Sequence, residues 1–362
     1  MLIDRRRLLK LGGAFAGAAL LPIPAHTQER FITGQGAWRK FDIVTQIKFN
    51  KPRGRAQAWI PVPSINSEDW SKALGSDWKT NAAKARMETA NGDFDLIYLE
   101  WDDKEIEASV EVSSHAESRD RATDFTKPGK AASLPEQDHA RYTAPLSFVP
   151  VGPWLEETAA SIINNAQTDL GKAKAIYEWT VDEQSCQTEA LRRVLGLDHT
   201  VTSPQGCDYV NSLFVGLARI SGLPAREVYG VRVTASQFSY QTLGALPDDV
   251  TAEIHTRAEV WLTGYGWVAA TPGDVRRVIG GEGPGGLEMS DPRVVAARST
   301  LFGAWEGNWV AYNMGNDFEL PDSGGTKVPF LIRPRVLTST GLLEENAPDG
   351  FLYKLATKEL PA

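Results

Sequence analysis

The chain has 362 residues, 42% of them hydrophobic and 23% charged, with a formal net charge of −8. That length allows two domains and a sizeable buried core. The composition, with no low-complexity tract and no long-period repeat, is that of a globular protein, and an acidic balance without a basic stripe argues against nucleic acid or anionic lipid as a partner.

The first residues read as an address rather than as part of the fold. DRRRLLK (4–10) fits the twin-arginine export pattern of paired arginines, one free position, an apolar pair and a lysine. The apolar run LGGAFAGAALL that follows is too short to span a bilayer and is diluted with Gly and Ala, which suits that export route. Residues 1–25 are expected to be a signal peptide cut after Ala25. Its loss removes Arg5, Arg6, Arg7, Lys10 and Asp4, leaving 34 basic and 45 acidic residues, or −11. No later stretch reaches spanning length. The mature protein is therefore expected in the periplasm or outside the cell, with the twin-arginine machinery as the precursor's partner and its substrate in the cell envelope.

Residues 30–125 alternate apolar and polar side chains. KFDIVTQIKF, RAQAWIPVP, FDLIYLEW and EIEASVEVSS are broken by KPRG and NGD, the pattern of short antiparallel strands in a β-sandwich. Residues 126–150 are polar and proline-marked and are expected to form a linker. Helical spacing then takes over in residues 151–280. Pro153 opens one helix, Asp169 is expected to cap a second, and Val210, Leu213, Phe214 and Leu217 mark a third that Gly222 and Pro224 stop. Strands return at AREVYGVRV, EIHTRAEVWL and GWVAA, so helices precede strands and the class is α+β. After the glycine-rich GGEGPGG, residues 281–362 form a C-terminal extension with strands at FLIRPRVL and GFLYKLA.

The third helix carries the chemistry. Its opening, SPQGCDYVNSLF, puts Cys207 at the first turn, where unpaired backbone N–H groups and the positive dipole end favour a thiolate. Gly206 lets the backbone bend and a substrate approach. Cys186 is the only other cysteine, and in an oxidising compartment a Cys186–Cys207 disulfide is the competing reading. No CxxC pair or HExxH sequence points to a metal site. A thiol nucleophile needs a base. His255 shares one strand face with Arg257, Glu259 and Trp261, and His199 in the segment before Cys207 is the competing candidate.

GCDYVNSLFVGLARISGLPAR followed by IHTRAEVWLTGYGWV resembles the cysteine and histidine motifs of the bacterial transglutaminase-like, papain-like superfamily. TDLGKAKAIYEWTV and LFGAWEGNWVAYN resemble the flanking segments. The resemblance implies a papain-like α+β core behind the β-sandwich, no metal or organic cofactor, Cys207 as nucleophile and His255 as base. It also implies an aspartate after the next strand, to orient the histidine. Here GWVAATPGDVRRV puts Thr271-Pro272 in that place. Pro272 and Gly273 can form the centre of a type II turn that brings Asp274 to the imidazole, with the Thr271 hydroxyl as the other candidate.

The function implied is an exported thiol acyl-transfer enzyme, a peptidase or amidase if water is the acceptor and a transglutaminase if an amine is. A non-catalytic envelope module that keeps the fold for binding is the alternative, favoured by the missing aspartate. A nucleophile tied in a disulfide cannot attack, so Cys207 is expected to be free. Thiol titration of unreduced protein from the exported fraction checks this: two thiols should be counted, and none before reduction would defeat it.

Overall fold

The computed structural model describes residues 30–51, 53–90, 94–104, 106–129, 133–149, 151–182 and 209–361. Residues 1–25, expected to be an export leader, and Cys186, His199, Gly206 and Cys207 lie outside the described residues.

The chain first lays down six strands: β1 (Arg39–Asn50), β2 (Ala56–Pro61), β3 (Ser71–Thr80), β4 (Lys84–Ala90), β5 (Phe94–Trp101) and β6 (Glu107–Ser118). In β1 the period of two is plain, with Phe41, Ile43, Ile47 and Phe49 buried and Lys40, Lys48 and Asn50 exposed. A two-residue strand, β7 (Arg121–Ala122), leads into the second half of the molecule.

Six helices occur among the described residues. The first, α1 (Glu136–Thr143), lies in the segment expected to be a linker. Next come α2 (Pro153–Ile163), α3 (Asp169–Asp182) and α4 (Val210–Ile220). The cap of α3 is Thr168 rather than Asp169: the Thr168 hydroxyl accepts from the Gly171 N–H at 3.0 Å and its carbonyl from the Lys172 N–H at 2.8 Å. On α4, Val210, Leu213, Phe214 and Leu217 are buried as their spacing predicts, and Gly222, at φ 79°, ends the helix in the left-handed region.

The core strands β8 (Ala225–Arg232), β9 (Ile254–Leu262) and β10 (Gly266–Ala269) follow. The residues Thr271–Asp274 do not form a type II turn. Pro272 instead occupies the first position of α5 (Pro272–Gly281), where its fixed φ suits the helix and its missing N–H goes unused. A further helix, α6 (Pro292–Thr300), has Asp291 as its cap, accepting from the Arg293 N–H at 2.9 Å. The remaining strands are β11 (Ala304–Trp305), β12 (Trp309–Asn313), β13 (Phe318–Glu319), β14 (Lys327–Val328), β15 (Arg335–Thr338), β16 (Gly341–Leu343) and β17 (Leu352–Leu360).

Two antiparallel sheets, ordered β17-β1-β6-β3 and β16-β15-β2-β5-β4, make the sandwich. β17 pairs with β1 from Lys40↔Leu360 to Lys48↔Leu352, and β15 pairs with β2. The strands of the C-terminal segment thus complete the sandwich begun at the N-terminus. Its core joins Phe41, Ile43, Ile60, Leu99, Trp101 and Val112 to Val336, Tyr353 and Leu355.

The central sheet has the order β10-β9-β8-β12. One face, through Ala225, Ala258, Val260 and Leu262, packs on Ile176, Tyr177, Leu213, Phe214, Leu217 and Val275 of the helices. The other face, through Val228, Ala269, Trp309 and Ala311, meets Trp70 and Trp305. Among the described residues no helix is long and apolar enough to cross a membrane.

Gly230 of β8 stands opposite His255 of β9, and a Cβ there would overlap the Val310 carbonyl and the Trp309 ring. Gly230→Ala must therefore part β8 from β12. It is expected to lower stability by about 1–3 kcal/mol, measured by urea unfolding, whereas an unchanged midpoint would show that the strands yield freely.

Candidate functional site

Alternation along β9 divides its side chains. Ala258, Val260 and Leu262 go to the helices, and His255, Arg257 and Glu259 go to the tryptophan side, all buried. A buried charge is tolerable only when paired and hydrogen-bonded; Arg257 and Glu259 are both ion-paired, although Arg257 Nε and His255 Nε2 make no hydrogen bond among the described residues. Arg121 and Arg226 both grip Glu259, the latter at 2.7 Å. Burial pushes the Glu259 carboxyl up, but Arg226 and Arg121 together outweigh it and hold it below the usual carboxylate range. Arg257 donates to the Glu306 carbonyl at 3.0 Å and lies 4.9 Å from the Trp309 ring centre. Burial, partly offset by Asp274, brings the Arg257 guanidinium down to about 10.

His255 begins the row. Its Nδ1 is 3.3 Å from the Glu253 carbonyl, and its Nε2 is 3.6 Å from Asp274 Oδ1. A neutral imidazole has one N–H and can serve only one of these acceptors. Asp274 sits in the first turn of α5, 1% exposed, where a carboxylate suits the helix dipole. It is shared. Arg232, the last residue of β8, donates to its Oδ1, and Arg257 Nε is 3.5 Å from its Oδ2. The Asp274 carboxylate is therefore held chiefly by arginine, with the histidine at its flank. Burial, followed by the charges of Arg232, Arg277 and Arg257, pushes the His255 pKa well below the ordinary histidine value, against a smaller pull from the Glu253 carbonyl. The imidazole is accordingly neutral, which is the form a general base requires.

One side chain ties three elements together here. Asn211, in the first turn of α4, donates from Nδ2 to the Thr256 carbonyl at 2.8 Å and accepts the Gly273 N–H on Oδ1 at 3.0 Å. Thr256 follows His255, and Gly273 precedes Asp274. The fit is close: a Cβ on Gly273 would lie 2.8 Å from Asn211 Nδ2, so glycine is required there by proximity to Asn211 rather than by a turn conformation.

Of the residues singled out by sequence, His255 and Asp274 are brought together, and Cys207 and His199 lie outside the described residues. Thr271 is fully buried, and its hydroxyl accepts from Trp305 Nε1 at 2.7 Å, so it is engaged with the indole. His115 pairs with Asp42 at 2.7 Å on the sandwich, and His139 is exposed on α1. Asn211 and Arg232 are the site residues that the sequence reading passes over. For Asn211 the signal was an amide at an inward position of α4; Arg232 closes a strand that also carries Arg226 and Glu227, so nothing in the pattern set it apart.

Residues 156–272 match the family model of the transglutaminase-like superfamily. The chain is also similar to an uncharacterized protein of Haemophilus influenzae (strain Rd), 27% identical over 293 residues, covering 74% of this chain and 76% of that protein. Among solved structures it is similar to a candidate cysteine protease from Cytophaga hutchinsonii, at 14% identity and TM-score 0.48, over 90% of this chain and 99% of the other. It is similar as well to the periplasmic domain of TgpA from Pseudomonas aeruginosa, at 16% identity and TM-score 0.31, over 62% of this chain and 71% of that one.

Two expectations follow. A histidine kept neutral in the folded state but titrating near 6.5 when unfolded makes the unfolded state bind more protons as pH falls, so its contribution to stability is lost on going down through that pH. Wild type should therefore lose up to about 1.4 kcal/mol per pH unit more than His255→Gln between pH 6.5 and pH 5. Urea unfolding of both proteins checks this, and parallel pH slopes would mean that the folded imidazole protonates freely. Asn211→Ala leaves the Gly273 N–H and the Thr256 carbonyl unpaired and should cost on the order of 2 kcal/mol, read as a shift in the same unfolding midpoint.

Proposed function

We propose that the protein is an exported thiol acyl-transfer enzyme, acting as a peptidase or amidase on peptide or side-chain amide bonds, with Cys207 as nucleophile, His255 as base and Asp274 as the orienting carboxylate. The observation that carries the reading is the approach of His255 Nε2 to Asp274 Oδ1 at 3.6 Å, beside a helix start that Asn211 binds to both elements. Catalytic hydrogen bonds are often long before substrate binds.

In this mechanism the imidazole gives up the Glu253 carbonyl and carries its proton on Nε2, toward Asp274, so that Nδ1 is the base. As Sγ attacks the carbonyl carbon, its proton passes to Nδ1 and the S–C bond forms. The tetrahedral intermediate collapses with cleavage of the C–N bond, and the departing amine takes the proton from Nδ1. A water molecule then adds to the thioester, giving a proton to Nδ1. The S–C bond breaks, the sulfur recovers that proton, and the carboxylic acid leaves. An amine in place of water gives transglutamination. Hydrolysis is favoured because no feature of the chain selects an amine over water in large excess. The DRRRLLK pattern at residues 4–10 supports action in the periplasm or outside the cell.

The second reading, a binding module that keeps the fold without the chemistry, is favoured by one observation. Arg232, Arg257 and Arg277 all oppose protonation of His255, so a resting thiolate–imidazolium pair gains little here.

Iodoacetamide labelling near neutral pH separates the two. On the enzymatic reading Cys207 reacts faster than a free cysteine, His255→Ala slows it strongly, and Asp274→Asn slows it less because Arg232 still occupies that wall. His199→Ala should leave it unchanged. Labelling at the free-cysteine rate in wild type and in His255→Ala alike would defeat the proposal in favour of the binding module.

A further inference from the structure

Glu227 is a buried carboxyl that the proposed chemistry does not use. It shares the helix-facing side of β8 with Ala225 and Tyr229 and is 1% exposed. Its Oε1 accepts from the Ser212 hydroxyl of α4 at 2.6 Å, and its Oε2 lies 2.8 Å from Tyr229 Oη. Tyr229 Oη lies in turn 2.7 Å from Asn316 Oδ1. The end of the amide that faces Tyr229 is fixed, because Asn316 Nδ2 donates to the Met314 carbonyl at 3.1 Å.

The number of protons decides the state of the carboxyl. Each of the two contacts at Tyr229 Oη needs a hydrogen between its oxygens. Asn316 Oδ1 has none to give, and a phenol carries a single one. If that hydrogen serves Asn316, the other must come from Glu227. If it serves a Glu227 carboxylate instead, Tyr229 and Asn316 face each other lone pair to lone pair at 2.7 Å. Burial, followed by the charge of Glu227, pushes the Tyr229 hydroxyl well up, so the phenol keeps its proton.

The surroundings agree. Burial pushes the Glu227 carboxyl up, against smaller pulls from Ser212, Tyr229 and Arg219. Arg219 of α4 is the cation whose charge reaches it, but that guanidinium donates to the Ala225 carbonyl at 2.8 Å and to the Ala144 carbonyl at 2.7 Å. Tyr142 of α1 and Asp317, beyond β12, act on Arg219, and β9 presents Ala258 opposite Glu227. We propose that Glu227 is a neutral carboxylic acid at pH 7, the first donor of a chain that runs through Tyr229 to Asn316, and that it latches the start of α4 to β8 until alkali removes its proton. Ionisation places an unpaired charge in the core and breaks the chain at Tyr229, loosening Ser212 and the adjoining Asn211. The latch goes beyond the acyl-transfer reading and does not rest on it, since none of its residues takes part in that chemistry and its test needs no substrate.

The pH dependence is opposite in sign to that of His255. An unfolded glutamate loses its proton near pH 4.3, whereas the folded acid keeps it, so the folded state binds more protons. The stability from this group is fully present below that pH and is lost as pH rises. Glu227→Gln keeps a donor toward Tyr229 and an acceptor for Ser212 but cannot titrate. Relative to it, wild type should lose up to about tenfold in its folding equilibrium constant per pH unit between pH 5 and pH 7, measured by urea unfolding. Infrared difference spectra at pH 7 should show a protonated-carboxyl band that Glu227→Gln lacks and that Tyr229→Phe shifts, and the second comparison stands by itself if Glu227→Gln fails to fold. Parallel pH slopes in wild type and Glu227→Gln, or a carboxyl band that neither variant changes, would overturn the proposal.

Discussion

Asn211 is the constraint on which the geometry of the site depends. A helix, a strand and a second helix that are distant in sequence must meet within a few ångströms for His255 and Asp274 to face each other. Hydrophobic packing brings the three together through Phe214, Ala258 and Val275, but packing is tolerant of small slides. Two directional hydrogen bonds from one amide are not. By donating to the Thr256 carbonyl and accepting from the Gly273 N–H, Asn211 fixes the backbone next to both functional side chains and removes two otherwise unpaired buried groups. It sits four residues after Cys207, so the same bonds anchor the segment that leads from the proposed nucleophile.

Around that frame the electrostatics are unusual for a histidine site. Asp274 is surrounded by Arg232, Arg257 and His255, and the two permanent cations take most of its charge. Arg232 reaches it with a hydrogen bond, while His255 stands at 3.6 Å. Such a carboxylate orients a ring more than it stabilises an imidazolium. The proposed chemistry therefore leans on proton removal by a neutral base during attack, not on an ion pair formed beforehand. The rest of the face is built consistently with this. Glu259 answers Arg121 and Arg226, Arg257 lies over Trp309, and Glu306 accepts from Ser236 and Gln237 at 2.7 and 2.6 Å. Cations outnumber acceptor carboxylates close to His255, and it is the histidine that gives up its charge.

Much of this was legible from spacing. The period of two in β1 and the inward stripe of α4 appear where the residues predict them, and the placement of His255, Arg257 and Glu259 on one strand face follows from alternation alone. What periodicity does not carry is partnership. Nothing in KFDIVTQIKF says that its neighbour is Leu352–Leu360, three hundred residues later, so the C-terminal strands read as an appendage. Pro272 and Pro292 each open a helix, as Pro153 does. Reading Pro272-Gly273 as a turn gave the right neighbour for His255 by the wrong local structure, because a helix start and a type II turn both bring residue 274 back over residue 271. Thr271 was plausible as a hydroxyl partner until the fold supplied Trp305, a buried indole whose N–H had to be satisfied.

The late strands also explain why the sandwich is more than a neighbour of the site. β17 enters the sandwich at β1, and on its other side it meets the residues that lead into β9. The Val250 N–H donates to the Leu355 carbonyl at 2.8 Å, the Leu355 N–H donates to the Thr251 hydroxyl at 2.9 Å, and the Thr357 hydroxyl donates to the Val233 carbonyl. Val250 caps and Thr251 opens the short 3₁₀ turn Thr251–Glu253, whose last carbonyl faces His255 Nδ1. From the opposite end, Arg121 of β7 reaches Glu259. β9 is thus held at its start by the C-terminal strand and midway by an arginine from the junction strand. Its histidine is set by contacts that only the completed sandwich can make.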